Sequence, residues 1–186
     1  VIDEGSDWSY RQLSQDTDRL SMFLQAHGVE PDSLVVIFMD SSYEYIASSL
    51  AILKSGAAFL PIPTDLPYAQ IQLIIDDASP RLILTTPQYK HDLSSLHVGS
   101  KVVLHGLTRD QLQGVDDDFN MTCGHAVASG LNPLVPTQDH HLAFATYTSG
   151  TTGKPKGVLQ VQRALVTSYH SRHTFHPYQP SERVAC

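Results

Sequence analysis

Cysteine is scarce: the 186-residue chain has two, Cys123 and Cys186. Two thiols cannot staple a small fold. A disulfide scaffold is excluded, and a reducing compartment, the cytoplasm, is the simpler setting. Basic residues are also few. Lys and Arg number 12 against 19 Asp and Glu, a formal net charge of −7. A general nucleic-acid binder presents a basic face to the phosphate backbone, so that class is disfavoured, although a local phosphate site is compatible with the balance. No apolar run approaches the ~18–20 residues that span a bilayer, and no basic-then-apolar leader opens the sequence, so no membrane partner is expected. What is present suffices for a core: 41% of residues are hydrophobic, and the length suits about one domain. The sequence opens on Val1 rather than Met and breaks off at Cys186, which suggests a piece of something larger.

Apolar periodicity predicts helices and strands in alternation. Tyr10 to His27 reads as an amphipathic helix with Leu13, Leu20, Phe23 and Leu24 near one face, Ser9 able to cap its start and Gly28 its stop. Leu34–Met39 is a continuous apolar run, as in a buried parallel strand. Ser41 or Ser42 caps a second helix that ends at Gly56, and Ala58–Ile62 is a short strand confined by Pro61 and Pro63. Pro67 opens a third helix, with Ile71, Ile74, Ile75 and Ala78 in register and Pro80 as its stop. Leu82–Thr85 and Lys101–Leu104 read as further strands, whereas 105–137 reads as a partly irregular connection. Alternation of this kind predicts an α/β fold, a parallel sheet with flanking helices.

The segment with the most chemistry follows a strand at Leu142–Tyr147. Thr148, Ser149, Gly150, Thr151, Thr152, Gly153, Lys154, Pro155, Lys156 and Gly157 come in succession. Glycines let the backbone turn and let a ligand approach the N–H groups. Four hydroxyls and two ammonium groups add donors and positive charge. Together they make an anion nest, with phosphate as the expected anion. The order is not that of the nucleotide-hydrolase loop G-x-x-x-x-G-K-[ST], because Lys154 is followed by Pro155. Pro155 also disfavours a helix starting at Lys154, so the loop should turn back into a strand. On composition alone, a plain Gly/Ser/Thr hairpin turn competes with this reading.

The string from Tyr147 to Val158 resembles the signature phosphate loop of the adenylate-forming superfamily: acyl-CoA synthetases, luciferases and the amino-acid-activating domains of nonribosomal peptide synthetases. Leu53 to Ile62, followed by Pro67, Ile71 and Asp77-Ala78-Ser79-Pro80, is similar to the LKAGGAYVPIDP…DA.P block of the nonribosomal peptide synthetase branch. Trp8 to Leu13 is similar to the family's early TYxEL stretch, and the three matches come in family order. Two departures concern the subfamily: Pro63 stands where the family has Asp, and Gln162-Arg163 where many members have His-Arg.

The resemblance implies that residues 1–186 are the N-terminal portion, truncated, of an AMP-binding adenylation domain, with the phosphate loop at 147–158. It implies ATP and Mg2+, a small carboxylic or amino acid substrate, and a carrier-protein phosphopantetheine or CoA as acceptor. The nucleotide-binding residues it assigns are Thr148, Ser149, Gly150, Thr151, Thr152, Gly153, Lys154, Lys156 and Gly157. The family's later motifs (the magnesium Glu, the ribose Asp, the hinge and a C-terminal Lys) are not in this sequence, so the 186 residues alone are expected to be inactive. The alternatives are a fatty or aryl acid:CoA ligase and a non-catalytic nucleotide-binding or structural fragment. The missing part is also expected to complete the sheet begun at Leu34–Met39 and Leu82–Thr85, so that cutting the chain exposes an apolar strand edge or a helix-free sheet face.

Other clusters read as structural. His170, His173 and His176 recur every three residues, but Pro177 follows and no Cys or carboxylate at ligand spacing accompanies them; a surface or helix-end cluster is the better reading. His140-His141 are neighbours, so they should point apart and not chelate. Asp116–Asp118 reads as a solvated turn. Cys123 shows no sign of activation, and Ser149 lacks a G-x-S-x-G setting.

Overall fold

A computed structural model describes residues 2–3, 6–93, 96, 103–113, 117–148 and 155–177. Two short strands, β1 (Ile2–Asp3) and β2 (Ser6–Asp7), pair antiparallel. Helix α1 (Tyr10–Ala26) follows. The Ser9 hydroxyl accepts from the Gln12 backbone N–H while the Gln12 side chain accepts from the Ser9 N–H, a reciprocal cap that satisfies two otherwise unpaired donors. Gly28 leaves the helix at φ +77°, in the left-handed region that glycine tolerates. Next come β3 (Leu34–Phe38), α2 (Tyr43–Lys54, capped by Ser42), β4 (Ala58–Pro61), α3 (Tyr68–Ala78) and β5 (Leu82–Thr85), each within a residue or two of the sequence reading.

The remaining elements are α4 (Pro87–Leu93), β6 (Val103–Gly106), α5 (Arg109–Gln113), α6 (Asp117–Ala128), β7 (Leu142–Thr148), β8 (Lys156–Val161) and α7 (Gln162–Phe175). The expectation of an irregular 105–137 needs correction, because α5 and α6 occupy much of it. Phe119, Cys123 and Ala126 of α6 are buried at helical spacing, with the Phe119 ring stacked 4.7 Å from that of Phe23 on α1. Asp117 and Asp118 belong to the first turn of α6, not to a turn between elements.

Six strands form one sheet in the order β6-β5-β3-β4-β7-β8. The first five are parallel, and β8 runs antiparallel to β7. β3 and β5 are buried on both faces, as parallel strands between helices are. Val35, Ile37, Leu82 and Leu84 pack on one side with α1, α2, α5 and α6; Val36, Phe38 and Ile83 pack on the other with Ile71, Ile74 and Ile75 of α3 and Leu93 of α4. β3 and β5 lie inside the sheet with neighbours on each side, and the sheet's two edges are β6 and β8. Large apolar residues are exposed on β8 and α7, and also at Tyr10, Leu50, Tyr68, Leu73, Met121 and Leu134. Val158, Leu159, Val166, Tyr169 and Phe175 are exposed, and α7 buries no residue.

Candidate functional site

The segment read as a phosphate loop connects β7 to β8 in the chain. β7 is parallel to β4, so Thr148 ends it at the carboxyl edge of the parallel sheet, where ligand crevices of α/β sheets lie. The return of the chain as a strand at Lys156 follows the reading from Pro155.

Register fixes the stem. Thr148 is paired with Lys156 and Tyr147 with Gly157. Directly opposed residues of an antiparallel pair project from the same face, so the Thr148 hydroxyl and the Lys156 ammonium flank the loop on one face. Both residues are exposed, which suits them to a charged ligand arriving from solvent. Gly157 is also exposed and sits opposite Tyr147. The other assigned residues, Ser149, Gly150, Thr151, Thr152, Gly153 and Lys154, lie outside the described residues. So the structure brings together Thr148, Lys156 and Gly157.

The base of the hairpin is anchored by the chain around it. The Leu142 N–H donates to Asp32 Oδ1 at 2.7 Å, and the Gln162 side-chain amide donates to the Leu142 carbonyl at 3.2 Å. Gln162, one of the two departures from the resemblance, therefore closes the hairpin. At the loop end, the Tyr147 hydroxyl donates to Asp77 Oδ2 at 2.6 Å. Burial and then this carboxylate push the Tyr147 phenol well above its ordinary pKa. Nothing in the sequence pairs Tyr147 with Asp77, since seventy positions separate them. The only sign was that both fall within stretches that carry the resemblance.

The matches outside the loop have structural work. Trp8 stacks on Tyr43 at 4.3 Å with the Arg109 guanidinium over its ring, and Lys54 Nζ reaches Asp18 at 2.6 Å, tying α2 to α1. The histidines do not assemble a site. His170 and His173 are exposed on α7, His176 ends it, and the rings of His140 and His141 meet edge to face at 4.8 Å instead of pointing apart. Among the described residues no group of three or more His, Cys, Asp or Glu could hold a metal. Magnesium, which the resemblance implies, has no ligand set among the described residues. Cys123 is buried, and burial raises its thiol pKa, so it is not an activated nucleophile. Among the described residues no helix is long and apolar enough to cross a membrane.

The model of the AMP-binding enzyme family matches residues 1–186. The chain belongs to the AMP-binding enzyme family. It is 33% identical over 184 residues to glycine betaine reductase ATRR of Emericella nidulans, covering 99% of this chain and 13% of that protein. Gramicidin S synthase 2 of Aneurinibacillus migulanus is 35% identical over 166 residues, 89% of this chain and 3% of that one. Among solved structures, ATP-bound MatB from Rhodopseudomonas palustris superposes with a TM-score of 0.74 at 22% identity, over 96% of this chain and 34% of MatB. This AMP-binding family chain thus spans a small part of the length of its curated relatives. Its α/β lobe is an incomplete part of the adenylate-forming fold, and its likeness to the nonribosomal peptide synthetases is borne out by their identity.

Proposed function

We propose that this chain supplies the nucleotide-phosphate loop of an enzyme that activates a carboxylic acid, foremost an amino acid, with ATP. In the reaction a carboxylate oxygen attacks the α-phosphorus. The bond from that phosphorus to its bridging oxygen breaks, and acyl-adenylate and pyrophosphate form. A phosphopantetheine thiol of a carrier protein then attacks the acyl carbon and displaces AMP, leaving a thioester. The loop residues Thr148 to Lys154, with Lys156 and Gly157, hold the β- and γ-phosphates and offset the charge that builds on pyrophosphate as it leaves, which is electrostatic positioning and not covalent work.

The observation that carries this reading is the cross-strand pairing of exposed Thr148 and Lys156 at the mouth of a Gly/Ser/Thr/Lys loop on the carboxyl edge of the sheet. Family membership and the fold shared with an ATP-bound neighbour support it. The amino acid as substrate and the carrier protein as acceptor draw on the relation to gramicidin S synthase 2. The 186 residues alone should not turn over, since they cover so little of such enzymes.

The test is ATP–pyrophosphate exchange by the full-length protein against amino acids, fatty acids and aryl acids. The reading predicts exchange with one or a few amino acids. Exchange confined to fatty or aryl acids would make it a CoA ligase. No exchange with any acid would overturn adenylation.

A further inference from the structure

The loop does not end freely on its stem. Tyr147, the residue before Thr148, lies half-buried against the apolar cluster that includes Ile71, Ile74 and Ile75 from α3. Its hydroxyl donates to Asp77, in the last turn of that helix, at 2.6 Å. Across the ladder stands Gly157. A Cβ there would lie 3.0 Å from Tyr147 Cζ and 3.1 Å from its hydroxyl oxygen. The ring thus crosses the space that a larger residue at 157 would take, so a side chain there would press on Tyr147. One side chain spans both strands of the stem and is pinned to a helix from elsewhere in the chain.

We propose that Tyr147 and Asp77 are positioning residues that clamp the stem of the phosphate loop to α3 and so set its pose toward the nucleotide. This rests on the nucleotide-binding reading of the loop. Tyr147 projects from the face opposite Thr148 and Lys156, so the clamp holds the stem without occupying the ligand's side. Asp77 is exposed, and water solvates its carboxylate when the phenol is removed. Loss of the bond should therefore disturb the loop far more than global stability.

The experiment uses the full-length protein with Tyr147→Phe, Asp77→Ala and the double variant, read by amide hydrogen exchange without nucleotide and by steady-state adenylation. Removing one net hydrogen bond should speed exchange in 148–157 roughly two- to tenfold and raise the KM for ATP by a similar factor. The KM for the acid and amide exchange in α1 should not move. Because one bond is lost in all three, the double variant should match the singles. Unchanged exchange in 148–157 overturns the clamp, and faster exchange with an unchanged KM for ATP overturns its positioning role. If the unsubstituted protein activates no acid, the adenylation reading falls and amide exchange alone decides the clamp: faster exchange in 148–157 upholds it, and unchanged exchange overturns it.

Discussion

Glu44 shows how a single residue ties the fold to pH. Burial pushes its carboxyl up, but hydrogen bonds from Arg109, from its own backbone N–H and from Ser42 outweigh that and hold it below its ordinary value of 4.5. Arg109 Nε lies 2.8 Å from Glu44 Oε1, and the same guanidinium covers Trp8. A carboxyl whose folded pKa is depressed contributes stability that is present above the unfolded value and lost as pH falls through the folded one. Unfolding free energy, measured by urea titration, should therefore fall as pH drops through 4.5 and below. Glu44→Gln should flatten that acid arm. An acid arm identical in the variant would remove Glu44 from the account. Nearby, Tyr43 donates to buried Asp16 at 2.7 Å, and Arg19 also reaches Asp16. The Tyr43–Asp16 bond joins α1 to α2 and the Glu44–Arg109 pair joins α2 to α5, and no sequence spacing announces either one.

At the scale of elements, legibility followed the size of the buried side chains. α1 and α3 carry buried Leu, Ile and Phe at helical spacing, and Ser9, Ser42 and Pro80 are local start and stop signals, so helix limits could be read directly even for α2, whose buried face is mainly Tyr43, Ala47, Ala51 and Ile52. α6 could not be read in that way. Among its described side chains the buried ones are Phe119, Cys123 and Ala126, two of them small, and Gly124 sits in its interior. A stripe of one large residue and two small ones looks like no stripe at all. The same helix supplies a test. A Cβ at Gly124 would meet nothing within 4 Å, and the residue is exposed. Gly124→Ala should therefore stabilise by roughly 0.5–1 kcal/mol through helix propensity and a less flexible unfolded chain. The urea midpoint reports it. A lower midpoint would mean that 117–128 is not helical in solution.

For the molecule as a whole, the doubly covered sheet was legible from alternating apolar runs, and the return to a strand at Lys156 from Pro155. The clamp from Tyr147 to Asp77 and the exposed face of β8 and α7 were not, because both depend on elements meeting in space. The exposed residues Val158, Leu159, Val166, Tyr169 and Phe175 form apolar surface of a kind that marks interaction or aggregation. That fits a chain covering 34% of MatB and far less of the synthetases.

Adenylation as proposed requires the β7–β8 loop to bind the phosphates of ATP. Lys156 tests it most directly, since it is exposed at the loop's end and its removal should leave folding intact. The measurement is ATP saturation of pyrophosphate exchange by the full-length protein, with and without Lys156→Ala, alongside the thermal midpoint. A hydrogen bond to a charged group is worth ~1.5–3 kcal/mol, so kcat/KM for ATP should fall roughly tenfold to a hundredfold with the midpoint unchanged. An unchanged rate at unchanged ATP saturation would contradict the account.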